Sequence, residues 1–215
     1  MKNYYYFILT AILVIIYSCQ KVYTDTSNTM EHLSNAENLI MSNEYRDFLL
    51  EIQSLAKDIR QNYIELSNEK RKDFRRLNQK ISDQIDSKSC IMLLDSLKGV
   101  IGIDYNSRLR KIDELGLKAL KKRKVPVHEL AIALRKRNFR HPRTKTSEEK
   151  DPYQLCLDTC TDKYTLAITA CFNAFNAAME RGDENAEEEH IRCTAYASSD
   201  YNDCNVDCLQ YKEVQ

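Results

Sequence analysis

Apolar residues in the middle of the chain recur every three or four positions. Tyr45, Phe48, Ile52, Leu55, Ile59, Tyr63 and Leu66 form one stripe, and Phe74, Leu77, Ile81 and Ile85 continue it between charged residues. That spacing turns one face of a helix to a core and the other to water. The next segment, Ile91 to Leu97, reads Ile-Met-Leu-Leu-Asp-Ser-Leu; it is apolar on more than one side and is expected to be the most buried, with Gly99 and Gly102 marking a break near its end. A third helix is expected over about Ser107–Arg123, with Leu109, Ile112, Leu115 and Leu120 inward, and a short one over Val127–Arg137. No run alternates as a strand does. With 4 Gly and 3 Pro in 215 residues, long stretches lack turn residues, which favours helices again. The expected fold class is all-α, with a helical bundle over 36–137. Its stripes read most simply as core; the competing use is a docking face for a partner helix.

The C-terminal part carries a different signal. Cys156, Cys160, Cys171, Cys193, Cys204 and Cys208 are separated by 4, 11, 22, 11 and 4 positions, a palindrome centred on Gly182. At about 100° per residue, steps of 4 and 11 return to nearly the same direction, so the three cysteines of each half lie in one stripe of a helix. Two antiparallel helices turning at Arg181-Gly182-Asp183 would place the stripes face to face. Gly suits the position just past a helix, Asp183 can cap the next one, and Asp151-Pro152 reads as an N-cap followed by Pro at the first helical position. Small residues also oppose one another, Ala167 with Ala197 and Ala178 with Ala186. Helices about 8–10 Å apart then bring facing Cα atoms to roughly 3.5–5.5 Å, which overlaps the disulfide range. The predicted bonds are Cys156–Cys208, Cys160–Cys204 and Cys171–Cys193, making 151–215 a six-cysteine helical hairpin. Zinc held by thiolates at i and i+4 is the rival reading. The array resembles the twin Cys-x3-Cys hairpins of small mitochondrial chaperones and plant defence peptides, a convergence on one geometry.

The first residues read as an address. Lys2 precedes an apolar and aromatic run from Tyr4 to Tyr17 in which Thr10 alone is polar, shorter than the about 20 residues a bilayer span needs and placed as a secretory h-region is. Ile16-Tyr17-Ser18-Cys19 resembles the bacterial lipobox, with an aliphatic residue at −3, a small one at −1 and Cys at +1; Tyr17 is bulkier than the usual −2 residue. The resemblance implies cleavage of a signal peptide, 1–18, lipidation of Cys19, and a polar tether over 19–35. It therefore implies a bacterial envelope protein on a lipid anchor, facing the periplasm or the surface. A plain signal peptide or signal anchor followed by an incidental cysteine is the alternative. Export also favours disulfides over zinc at the six cysteines.

Charge adds a boundary. Net charge is zero, yet residues 151–215 hold 4 Lys/Arg against 13 Asp/Glu, and the basic surplus is densest over 108–145, with 14 against 3. The polar segment Asn138–Lys150 lies where the sign changes and reads as a linker. The two halves are accordingly expected to fold as separable units.

Candidate chemistry is sparse. The sequence contains no Gly-rich phosphate loop, His-Glu-x-x-His helix or Gly-x-Ser-x-Gly elbow. His32, His128, His141 and His190 are scattered; His190, one turn before Cys193, reads as a helix-surface histidine. Glu187, Glu188 and Glu189 read as a solvated helix start. The basic run Lys121 to Lys124, with Arg135, Lys136 and Arg137, would suggest nucleic acid in a cytosolic protein; with export no nucleic acid is expected, and lipid headgroups, a glycan or the acidic hairpin become the candidate counterparts, against a plain solvated helix face. Cys90 is left unpaired and reads as a small buried hydrophobe, with a reactive thiol as the alternative. No catalytic residue, metal or cofactor is implied. The reading is a non-enzymatic lipoprotein acting through protein or surface contacts; the alternatives are an enzyme with an unrecognised site, or a secreted toxin or defence-like protein acting through the hairpin.

Overall fold

A computed structural model describes residues 35–84, 86–120, 125–140 and 151–212. Among them there are helices and no strands. After a helical turn at 35–40 come α1 (Asn43–Glu65), α2 (Asn68–Ser82), α3 (Ser87–Ile101), α4 (Tyr105–Leu120), α5 (Val127–Arg140), α6 (Pro152–Glu180) and α7 (Ala186–Asp207), and a 3-10 turn at Cys208–Tyr211. No helix among the described residues is long and apolar enough to cross a membrane. The proposed signal peptide, Cys19, most of the tether, the basic run 121–124 and most of the linker lie outside the described residues.

Local chemistry sets the helix ends. Ser42 caps α1 by accepting from the Tyr45 N–H at 3.2 Å, and Asp86 caps α3 by accepting from the Ser89 N–H at 2.8 Å. Those backbone and hydroxyl hydrogen bonds from Ser89 hold the Asp86 carboxyl below its ordinary range. Gly102, at φ 77°, closes α3 in the left-handed region. The stripe from Tyr45 to Ile81 does not belong to one helix. Leu66 is extended, and Ser67 starts α2 by accepting from the Lys70 N–H at 3.4 Å. A capping serine with no Gly or Pro beside it divides the two, while Phe74 and Ile81 keep the inward face.

The expectation for 91–97 is corrected. Cys90, Leu94, Leu97 and Ile101 point inward, but Ile91 is 37 % and Met92 62 % exposed. More than one side of α3 is apolar, and α2, α4 and α7 cover only part of that circumference. At α4, Leu109, Ile112 and Leu120 are buried and Leu115 packs at the core margin. Helix α5 begins behind Pro126 and buries Leu130, Ala133 and Leu134; it runs through Arg140, so the first residues assigned to the linker are helical.

Helices α6 and α7 form the expected hairpin. Asp151 caps α6 by accepting from the Tyr153 N–H at 3.0 Å, with Pro152 at the first helical position. At the far end Gly182 adopts φ 72°, its N–H donates to Met179 O and the Asp183 N–H to Ala178 O, both at 3.1 Å, the paired bonds of a Schellman stop. Asp183 does not cap α7. Its carboxylate accepts from the Asn185 N–H at 3.0 Å, a turn contact that delays the next helix to Ala186.

The hairpin packs on the bundle. Helix α7 lies against α1, α2 and α3, while α6 lies against α1, α4 and α5. One continuous cluster joins Phe48, Ile52 and Ile112 of the bundle to Ile168, Phe172 and Tyr201 of the hairpin. The two halves share this core, and whether they fold as separable units is decided by their unfolding on reduction. Opposite charge accounts for part of the packing, since Arg75 of α2 meets Asp207 of α7 at 3.0 Å. A larger part is apolar and polar side chains that pair one by one.

Candidate functional site

The three disulfides are those the palindrome predicts: Cys156–Cys208, Cys160–Cys204 and Cys171–Cys193, with Cα separations of 5.7, 5.8 and 5.7 Å. They form a ladder along the seam of α6 and α7, two rungs near the base and one near the turn. At the base, Cys160 and Cys208 are buried, whereas Cys156 and Cys204 are only partly covered. The Sγ atoms of Cys156, Cys160 and Cys208 lie within 4.8 Å of one another, the spacing a thiolate metal site would use, but each is committed to a disulfide. Cys90 is free and fully buried, and desolvation raises its thiol above the usual range. It behaves as the expected small hydrophobe.

The bundle-facing side of α7 is polar, which the period of apolar residues gave no means of seeing. Asn78 of α2, fully buried, donates from Nδ2 to Ser199 O at 2.8 Å and accepts from Asn202 Nδ2 at 2.9 Å, while Ser199 Oγ donates to Asn78 O at 2.8 Å. Tyr105 OH donates to Asn202 Oδ1 at 3.2 Å, and Arg60 reaches Asn205 Oδ1 at 2.6 Å. Tyr201 OH donates to Ile52 O at 3.3 Å and its ring stacks on Tyr164 at 4.3 Å. Burial raises the Tyr105, Tyr164 and Tyr201 hydroxyls far enough that they stay protonated donors. Paired buried polar groups specify a docking register, because any other register strands them. Asn78→Ala would leave the Asn202 amide N–H unpaired, while Ser199 O keeps its bond within α7. Its expected cost is about 1–3 kcal/mol, that of one stranded buried group, measured by denaturant unfolding.

Asp203 borders this interface. Burial raises its carboxyl above the ordinary 3.8, against a hydrogen bond from Asn78 and the nearby Arg75. The folded protein therefore holds this proton where the unfolded chain has lost it, and stability falls as pH rises from the ordinary value through the folded one. Asp203→Asn is expected to raise the Tm at pH 7 and to leave it unchanged at pH 3, as paired thermal melts would read.

At the turn end a cleft of about 290 Å³ opens between the two helices, lined by Phe175, Ala178, Glu189, His190, Tyr196 and the Cys171–Cys193 rung among others. His190 is not the surface residue expected. Its side chain is only 10 % exposed, its ring lies 5.0 Å from Phe172 and 4.8 Å from Phe175, and Nε2 faces Asp113 of α4 at 3.6 Å. Ala178 and Ala186, both buried, line the same cleft. No sequence signal distinguishes this histidine from an exposed one, since its burial depends on α4 docking from outside the hairpin. Glu187, Glu188 and Glu189 are exposed as expected, Glu188 accepting from Ser87 at 3.2 Å. His128 is 70 % exposed, and His32 and His141 lie outside the described residues.

Of the basic region, Arg108 and Lys111 are drawn inward to the buried Glu51, at 3.0 and 2.6 Å, and Lys136 pairs with Glu37 at 3.2 Å. These cations serve the bundle itself.

The geometry defines an all-α protein whose C-terminal disulfide-stapled hairpin is docked on an N-terminal bundle. Comparison with protein-family models, curated proteins and solved structures returns no match.

Proposed function

We propose that this protein is a bacterial envelope lipoprotein, held to a membrane by lipid on Cys19 and acting without catalysis through contacts of its helical body with a protein or a surface. The observation that carries the reading is the disulfide ladder. Three cross-helix pairs at Cα separations of 5.7 to 5.8 Å use six of the eight cysteines, and such bonds form and persist in oxidising compartments outside the cytoplasm. The lipobox-like Ile16–Cys19 supplies a route to that compartment and a use for a seventh cysteine. Several acyl chains at about 0.8 kcal/mol per buried methylene hold firmly where one chain would not. The 16 residues from Cys19 to the helical turn at 35 reach at most about 58 Å at roughly 3.3–3.6 Å per residue, so the body would work close to the bilayer. Rigidity suits a contact surface, since an ordered partner gives up less conformational freedom on binding.

Expression of the wild type and Cys19→Ala in a bacterial host, followed by detergent partitioning, tests this. The wild type is expected in the detergent phase and the variant in the aqueous phase or as unprocessed precursor. A wild type that stays in the aqueous phase defeats the proposal.

A further inference from the structure

We propose that the two base disulfides form a thiol–disulfide relay, taking electrons from a dithiol at Cys156 and presenting them as a thiolate at Cys204. Four sulfurs carry it. Cys156 is bonded to Cys208 and Cys160 to Cys204, and the non-bonded Sγ atoms of Cys160 and Cys208 are 3.5 Å apart, in contact. Burial is graded along this path. The touching inner sulfurs belong to residues 1 % and 0 % exposed, while Cys156 and Cys204 at the two ends are partly open. An external thiolate therefore reaches an end of the path and not its middle. The third rung, Cys171–Cys193, stands 11 residues away on each helix and takes no part, holding the hairpin closed during exchange.

The chemistry balances without a further reactant. A dithiol attacks Cys156 through one thiolate, forming a mixed disulfide and releasing the Cys208 thiolate; the second thiol of the reagent resolves the mixed disulfide, leaving Cys156 as a thiol and the reagent as a disulfide. Cys208, already against Cys160, attacks it, so that Cys160–Cys208 forms, Cys160–Cys204 breaks, and Cys204 leaves as the thiolate. Two electrons have entered the protein and are held as the Cys156 thiol and the Cys204 thiolate, and the number of protein disulfides falls by one. Return through an acceptor disulfide runs the same bonds backwards. Cys204 attacks the acceptor, Cys156 attacks Cys208 to free Cys160, and Cys160 recaptures Cys204 and expels the acceptor's thiol. Exchange of this kind depends on access to the attacked sulfur and on proximity of the next, and both are built into the ladder. The relay would give the tethered body a dithiol donor and a disulfide acceptor as partners. It does not depend on the lipid anchor: success would add a redox activity to the anchored body in place of its non-catalytic reading, and failure leaves both halves of that proposal standing.

The experiment uses the oxidised full chain. One equivalent of dithiothreitol is added, the reaction is quenched in acid, free thiols are alkylated under denaturing conditions, and the protein is cleaved without reduction by a protease that cuts before Asp. Asp158 lies between Cys156 and Cys160, and Asp207 between Cys204 and Cys208, so each base cysteine falls in its own peptide. The expected product carries alkyl groups on Cys156 and Cys204 and a Cys160–Cys208 cross-link. Alkylation of Cys156 and Cys208 with Cys160–Cys204 intact overturns the proposal, and so does loss of both base disulfides without the new link. Cys204→Ala gives an independent reading without reductant. The freed Cys160 should share Cys208 with Cys156, so both cross-links appear; Cys156–Cys208 alone counts against the relay.

Discussion

Reduction of the three disulfides is expected to unfold bundle and hairpin together. The hairpin's inward residues, among them Ile168, Phe172 and Tyr201, belong to the same core as Phe48, Ile52 and Ile112, so neither part keeps its packing when the other loosens. The links are large against the total. The Cys171–Cys193 loop of 22 residues contributes about 3 kcal/mol on the chain-entropy model, and the outer two add less because the inner one has already closed most of their loop. A whole domain is held by only about 5–15 kcal/mol. Thermal melts followed by far-UV circular dichroism, with and without a phosphine reductant, should show one transition in each case, the reduced one tens of degrees lower or already complete at room temperature. A protease-resistant fragment covering about 35–140 after reduction would show instead that the bundle stands alone.

Gly116 is the second position where a large effect is expected. A Cβ built there would lie 2.4 Å from Cε2 and 2.8 Å from Cζ of Phe172, and 3.3 Å from Cε2 of Phe48. Both rings are fully buried, so neither can swing away. Helix propensity alone favours Ala over Gly by about 1 kcal/mol, but overpacking of a filled core costs typically 1–3 kcal/mol. Gly116→Ala should therefore be destabilising on balance despite its propensity, and Gly116→Val should cost about 3 kcal/mol, lowering the Tm by roughly 6–12 °C at about 2–4 °C per kcal/mol for a chain of this size. Phe172→Leu paired with Gly116→Ala should cost less than the two changes added. Additive costs would show that the contact between α4 and α6 is not the cause.

How far the sequence reveals this fold depends on whether a feature is local. The hairpin is local: the cysteine intervals, Gly182 and Asp151-Pro152 all act between neighbours along two helices, and each appears where the intervals place it. The break at Ser67 is local as well, yet a serine without Gly or Pro is a weak signal, and a stripe that stays in phase across it hides the turn. What was illegible is the docking of one half on the other. The charge reversal at 138–150 pointed to a boundary, while the residues that cross it are Asn78, Asn202, Ser199 and Tyr105, polar side chains that pattern reasoning assigns to water. Gly116 and His190 belong to the same class. One is a helix glycine whose missing side chain makes room for a ring 56 positions later, and the other is a histidine buried by a carboxylate-bearing helix from the bundle. Long-range complementarity of this kind has no period.

The proposal of an exported, lipid-anchored and oxidised protein is tested most directly by the intact mass of the molecule recovered from a bacterial membrane fraction, measured after denaturing alkylation with and without prior reduction. The expected molecule begins at Cys19, carries acyl chains there, and takes one alkyl group before reduction, on Cys90, and seven after it, as the remaining six cysteines open. A mass that retains residues 1–18, that carries no lipid, or that takes seven or eight alkyl groups without reduction would contradict it.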